Sequence, residues 1–401
     1  MEPIFRAGLR AGILGGGQLA RMLAEAGIRM GLRPVVFADS PEAPAARVTS
    51  AVVLGKLTDA ESLKKFLSSV DIVVFESEFV DTSRLKECVS SEEMFFPKLA
   101  CIERLRDKLR QKELLKELGI PTAPFVPYTG QPLESWIATV AGRFNDRCVF
   151  KWGQLGYDGK GVFVHRRHGM DKDAARIFCE GALRLGVSLF AEEWIDFKRE
   201  LALVSIASRT QEVKSYPLVL SEQLNSICWR VTGPATGLGV EASLEKKAVE
   251  MATRIAKATG IVGTFAIEMF ETPEGDLRVN ELAPRVHNSG HFTQDGAATS
   301  QFENHWRAVL GLPLGSVICA PGFAMLNLIG PEGSARSTAG LKFPEFPAEA
   351  HFHWYDKTQV RAGRKMGHLN GWTHRLENLS AVVEKLDGVR TEWEKLMREG
   401  T

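Results

Sequence analysis

The first eighty residues alternate between short apolar runs and segments with helical spacing, and few folds accept that order. Residues 9–16 (LRAGILGG) read as a buried strand that ends in glycines. The following QLARMLAEAGIRMG carries apolar residues at 19, 22, 23, 26 and 30, a helical period. PVVFAD and VDIVVFE then supply two more strands. Strands alternating with helices predict a parallel α/β sheet, here a first domain over 1–110.

Gly119 and the two prolines of IPTAPF end the charged segment KLRQKELLKELG and open a linker. A central unit is expected over 111–205, with strands CVFKWG and LFAEEWI around a glycine-rich loop. A third is expected over 206–401, with a long helix (EASLEKKAVEMATRIAKATG), two strand-like runs and a small β-rich extension from about 331.

Lys and Arg number 50 against 49 Asp and Glu, so no global field favours nucleic acid or an anionic membrane. The start lacks the apolar core of a signal peptide, and about 18 consecutive apolar residues occur nowhere. The six cysteines show no zinc spacing and no disulfide framework. A cytoplasmic, reducing setting fits.

Gly15-x-Gly17-x-x-Ala20 follows a strand and opens a helix, and Asp39 closes the next strand. The pattern suits a dinucleotide fingerprint, which keeps an NAD-dependent dehydrogenase open. It equally suits a phosphate or small-substrate contact, or a tight turn. The second glycine loop, Gly156-Tyr157-Asp158-Gly159-Lys160-Gly161, is not a Walker loop, yet its amides and Lys160 could cradle phosphates beside Lys151 in the preceding strand. The alternative is a solvated hairpin turn.

Glu268 and Glu281 sit in two strand-like runs separated by TPEGD. An antiparallel hairpin would bring both carboxylates to one face. Acidic groups in apolar strands are costly unless paired or metal-bound, and Mg²⁺ takes one or two carboxylates together with phosphate oxygens. General acid–base work and plain surface exposure are the other readings. Residues 280–291 (NELAPRVHNSGH) pack an arginine, two histidines and two asparagines into twelve positions, which reads as an anion site. Lys357, Arg361, Arg364 and Lys365 lie among glycines and suit a phosphate monoester, or else a basic surface turn.

Taken together, GILGGGQLARML, IPTAPF, GYDGKG, NELAPRVHNSGH and GRKMGHLN resemble the N5-carboxyaminoimidazole ribonucleotide synthetase family over most of the chain. The resemblance implies an ATP-grasp architecture, α/β with α+β character in the ATP-grasp part and an N-terminal Rossmann-like sheet. It implies a ligase that uses ATP and Mg²⁺, or Mn²⁺, to carboxylate aminoimidazole ribonucleotide with bicarbonate. Another ATP-grasp ligase, for example one using formate, is the nearest alternative. A homodimer, and handover of product to the mutase of the next step, are implied partners.

Residue by residue, the resemblance implies that Lys108, Lys151, Gly156 and Gly159 meet ATP phosphates. Glu192, Glu193 and Trp194 would form the adenine edge, and Glu200 would hold the ribose. Glu268 and Glu281 would bind the metal. Arg285, His287 and Asn288 would sit by bicarbonate and carboxyphosphate. Tyr157, Lys357, Arg364 and Lys365 would take the ribonucleotide phosphate. Gln18, Glu76 and Asp158 would lie near its imidazole, and Lys160 would assist transfer. Residues 154–161 are expected to close over the phosphates. The chain departs from the family pattern at Leu155, where a glycine is common, and at Trp152, Gln223, Phe79 and Ala362.

Overall fold

The computed structural model describes residues 4–156, 161–165 and 171–399. Among them the strands form three main sheets. The first is a five-stranded parallel sheet in the order Val52–Leu54, Arg33–Ala38, Arg10–Leu14, Ile72–Phe75, Phe95–Phe96. The three inner strands are those expected. The two edge strands, of three and two residues, are too short to show a period. Helix Gln18–Arg29 buries Leu19, Ala20, Met22 and Leu23, so the helical spacing became a packed face.

The second sheet has four antiparallel strands, Phe125–Pro127, Leu189–Glu193, Cys148–Trp152 and Val162–His165. Its core is aromatic and includes Trp136 and Phe150. Trp152 packs there too, its ring centroid 5.3 Å from that of Phe178.

The third sheet has nine strands. It contains the hairpin of Gly263–Glu271 and Leu277–Ala283, and next to it Arg199–Ala207. The expected boundary at 205 therefore needs correction. Arg199–Ala207 pairs along its whole length with Gly263–Glu271, which puts the break between sheets near 194–198. The tail from 331 continues the same sheet. Lys365–Thr373 runs beside Gly322–Ile329 in the same sheet, and His351–Trp354 extends it. The terminal helix Leu379–Glu399 covers this end through Leu386, Val389 and Trp393.

One contact sets the first sheet against the third. Helix Gln301–Leu310 inserts Phe302, Trp306 and Val309 into the core that also holds Ile13, Leu23 and Val36. The Trp306 indole N–H donates to the Leu23 carbonyl at 2.8 Å. All six cysteines are free thiols, and among the described residues no helix is long and apolar enough to cross a membrane.

Candidate active site

The three sheets meet around one cleft of about 670 Å³. On its floor is the expected hairpin. A five-residue connection joins its strands, and Glu268 pairs in register with Glu281 at a β-bulge. The Lys108 ammonium lies 2.8 Å from Glu281. Burial, then the charges of Glu281 and Glu200, push the Glu268 carboxyl up to about 7. Two crowded, half-buried carboxylates of this kind suit a hard divalent cation, which would relieve the repulsion and keep sites for phosphate oxygens. Among the described residues no group of three or more His, Cys, Asp or Glu could hold a metal by itself.

Lys151, from the second sheet, donates to Asn280 Oδ1 at 3.0 Å and is ion-paired with Glu192. Glu192 also pairs with the buried Lys112 at 2.8 Å. Burial pushes the Glu192 carboxyl up, but the two lysine charges outweigh it and hold it near 2. The Glu192 side chain is thus committed to the two lysines. Glu193, Trp194, Phe197 and Phe270 line the same end of the cleft, with Glu200, whose carboxyl burial pushes up to about 7.

Arg285 crosses to the first sheet's side. Its guanidinium forms a bidentate pair with the buried Glu78, at 2.5 and 3.3 Å. His287 accepts at Nδ1 from the Ser289 amide at 3.3 Å and lies 2.8 Å from the Ser289 hydroxyl, with Nε2 3.6 Å from Glu268. Burial, then the positive charges of Arg285 and Lys365, push its pKa down to about 3, so the imidazole is neutral. Asn288 exchanges two amide bonds with Asn327, at 3.1 and 2.8 Å.

At the first glycine loop the glycines face a side chain of the protein itself. Glu76, on the segment after Ile72–Phe75, places its carboxylate at the N-terminus of helix Gln18–Arg29 and accepts from the Gly17 amide at 2.7 Å. A Cβ at Gly17 would lie 2.2 Å from Glu76 Oε1, and one at Gly15 would lie 2.6 Å from Glu76 Cβ. These glycines make room for the protein's own carboxylate. The pyrophosphate position of a dinucleotide is therefore filled, which removes the physical basis for the NAD reading.

Of the basic cluster, Lys365 lines the cleft. Lys357 is buried and donates to the Lys365 carbonyl at 2.5 Å, and Arg364 donates to the Gln359 carbonyl at 3.0 Å. Gln18 and Glu76 line the same cleft. Gly156 closes the neck of the second glycine loop against Gly161. Tyr157, Asp158, Gly159 and Lys160, with the expected closure of their loop, lie outside the described residues. Sequence reasoning missed Glu78, Lys112 and Asn327. FESE held a signal for the first, a second acid directly after a buried strand.

Matches to known families divide the chain in the same order. The ribonucleotide synthetase preATP-grasp domain spans residues 9–104, the ATP-grasp domain 113–302, and the phosphoribosylaminoimidazole carboxylase C-terminal domain 324–381. An N5-carboxyaminoimidazole ribonucleotide synthase of Synechococcus elongatus is 36% identical over 362 residues, 89% of this chain and 88% of its own. The crystal structure of carboxyaminoimidazole ribonucleotide synthase from Aspergillus clavatus complexed with ATP has a TM-score of 0.85 at 32% identity, covering 96% of this chain and 99% of that one. A structure of the Aspergillus clavatus synthase with ADP and 5-aminoimidazole ribonucleotide has a TM-score of 0.82 at 31% identity, with coverage of 96% and 99%. The chain belongs to the N5-carboxyaminoimidazole ribonucleotide synthase family of ATP-grasp ligases.

Proposed function

We infer that the chain is an ATP-dependent ligase that carboxylates 5-aminoimidazole ribonucleotide with bicarbonate, giving N5-carboxyaminoimidazole ribonucleotide, ADP and phosphate in purine biosynthesis. One observation carries the reading. The register-paired Glu268 and Glu281, Lys108, and Lys151 converge from three parts of the fold on one cleft.

Bicarbonate is a poor electrophile. Its oxygen attacks the γ-phosphorus, the bond to ADP breaks, and carboxyphosphate forms. Lys108 and Lys151 offset the charge that develops on the phosphoryl oxygens. Glu268 and Glu281 would hold Mg²⁺ or Mn²⁺, which would neutralise phosphate charge. Carboxyphosphate then releases CO₂ beside the amine. A C–N bond forms, and the amine proton passes to the departing phosphate.

Arg285, fixed by Glu78, and Asn288, fixed by Asn327, orient the bicarbonate. Neutral His287 serves as a hydrogen-bonding group there. Gln18 and Glu76 face the imidazole, and Lys365 with Arg364 takes the 5′-phosphate, Lys357 bracing that turn through the Lys365 carbonyl. Tyr157, Asp158 and Lys160 complete the ribonucleotide side on the family pattern, and Gly156 and Gly159 the phosphate loop. We place the enzyme in the cytoplasm as a homodimer that hands its product to the mutase of the next step, again on the family pattern.

The test is ADP release by the purified protein with Mg-ATP. Release that needs both bicarbonate and the ribonucleotide is expected. Release stimulated by formate and indifferent to bicarbonate would replace this reading with the formate alternative.

A further inference from the structure

Lys112 is the most deeply buried charge beside the cleft, at 1% exposure, and the reaction above gives it no work. It sits one turn after Lys108 on helix Lys108–Glu117. Its ammonium lies 2.7 Å from Thr122 Oγ1, 3.4 Å from the Val279 carbonyl and 2.8 Å from Glu192. The first two are neutral acceptors. Glu192 is also the ionic partner of Lys151. Lys112, Glu192 and Lys151 are all less than 10% exposed.

Two buried ammonium groups therefore share one carboxylate, and the triad carries one surplus positive charge. A buried charge is costly unless compensated. Lys112 is enclosed by its three partners. Of the two lysines only Lys151 lines the cleft, beside Glu192, and its further acceptor there, Asn280 Oδ1, is neutral. The surplus charge consequently faces the cleft at Lys151. Without Lys112, Glu192 would belong to Lys151 alone and would cancel its charge.

We propose that Lys112 is a positioning residue that, by sharing Glu192, leaves the Lys151 ammonium available to an ATP phosphate. The proposal rests on the reading of this cleft as an ATP site. It makes the lysine pair a unit. Lys151 touches the phosphate, and Lys112 sets how much of its charge the phosphate meets.

The experiment compares equilibrium binding of ATP and of adenosine, which lacks phosphates, to the parent, to Lys112→Met and to Lys112→Met/Glu192→Gln. A purely structural role would weaken both ligands together. Lys112→Met should weaken ATP roughly tenfold or more, the scale of one charge-assisted phosphate contact, and adenosine less than about twofold. In the double variant the competing carboxylate charge is gone as well, so the ratio of ATP to adenosine affinity should return to within about threefold of the parent. Equal loss of both ligands in the single variant, or a double variant whose ratio is reduced tenfold or more, overturns the proposal. The second criterion stands even where Lys112→Met does not fold. A parent protein that fails to bind ATP would instead overturn the ATP reading itself.

Discussion

The first glycine-rich segment and the approach to the second differ in what each backbone position demands. In the first, Gly15 and Gly17 are demanded by one neighbour, the Glu76 carboxylate, which lies where a Cβ would be. Just before the second, Gly153 is demanded in the same manner. A Cβ there would lie 1.8 Å from Ser188 Oγ and 2.6 Å from Asp107 Oδ1. Two residues later the demand is reversed. Leu155 holds a φ of 63°, a region that favours glycine, and its side chain is 46% exposed. Glycine content alone therefore says little about what a loop binds. The neighbour that forbids a Cβ says more.

The largest expected effect comes from Gly15→Ala. The position combines a φ of 130° with overlap on Glu76 Cβ, an atom tied to the backbone. Strain and overpacking together should cost about 2–5 kcal/mol, read from denaturant unfolding. A variant as stable as the parent would mean that the Glu76 segment yields easily, and the first loop would lose its distinction.

Gly153→Ala should cost less, about 1–2 kcal/mol, because the overlapping atoms are side-chain ends. It should act through Asp107, which caps helix Lys108–Glu117 by accepting from the amides of Leu109 and Arg110 and also accepts from Ser188 and Gln154. The Lys108 amide itself donates to the Gly153 carbonyl at 2.7 Å. Displacing that turn moves Lys108, so the Michaelis constant for ATP should rise while that for the ribonucleotide stays near the parent value. Equal rises in both would detach the second loop from the phosphate end.

Glu76→Gln should change stability at neutral pH by less than about 1 kcal/mol. Its signature is the pH profile. Burial pushes the Glu76 carboxyl above its ordinary value of 4.5, although the amides of Gly17, Ala20 and Leu19 and the charge of Arg285 favour the ionised form. A raised carboxyl contributes its stability fully below about 4.5 and loses it as pH rises through the folded value. Thermal unfolding from pH 4.5 upward should thus show a shallower decline in Glu76→Gln than in the parent. On the proposed role beside the imidazole, the Michaelis constant for the ribonucleotide rises roughly tenfold as well. An unchanged constant would reduce Glu76 to a helix cap.

Leu155→Gly should have the smallest effect. It relieves about 1–2 kcal/mol of left-handed strain and gives back about 0.5–1 kcal/mol in chain entropy, a net gain under about 1.5 kcal/mol in thermal unfolding. Amide exchange at 153–156 should change in the same variant. Destabilisation would show that the leucine side chain has a packing role its exposure hides.

Local signals were the readable ones. Helical spacing gave away Gln18–Arg29, and the short connection between two strand-like runs placed Glu268 opposite Glu281. The hairpin of Val219–Leu224 and Ile227–Gly233 was local too, yet unread. Its turn uses Asn225 and Ser226 at φ of 52° and 62°, a fainter mark than Asn-Gly.

The amino-acid order by itself determined the strand and helix segments of the first domain, the carboxylate hairpin and the family. In each case the information sits within a few tens of residues, or in motifs that short spacings preserve. Only the tertiary structure decided that Glu78 holds Arg285 across 207 positions, that Lys112 and Lys151 divide Glu192, and that Glu76 fills the helix N-terminus two glycines had reserved. Those pairings depend on how three sheets dock, and docking is set by cores such as that of Leu23 and Trp306, whose members carry no periodic mark of the partner they will meet.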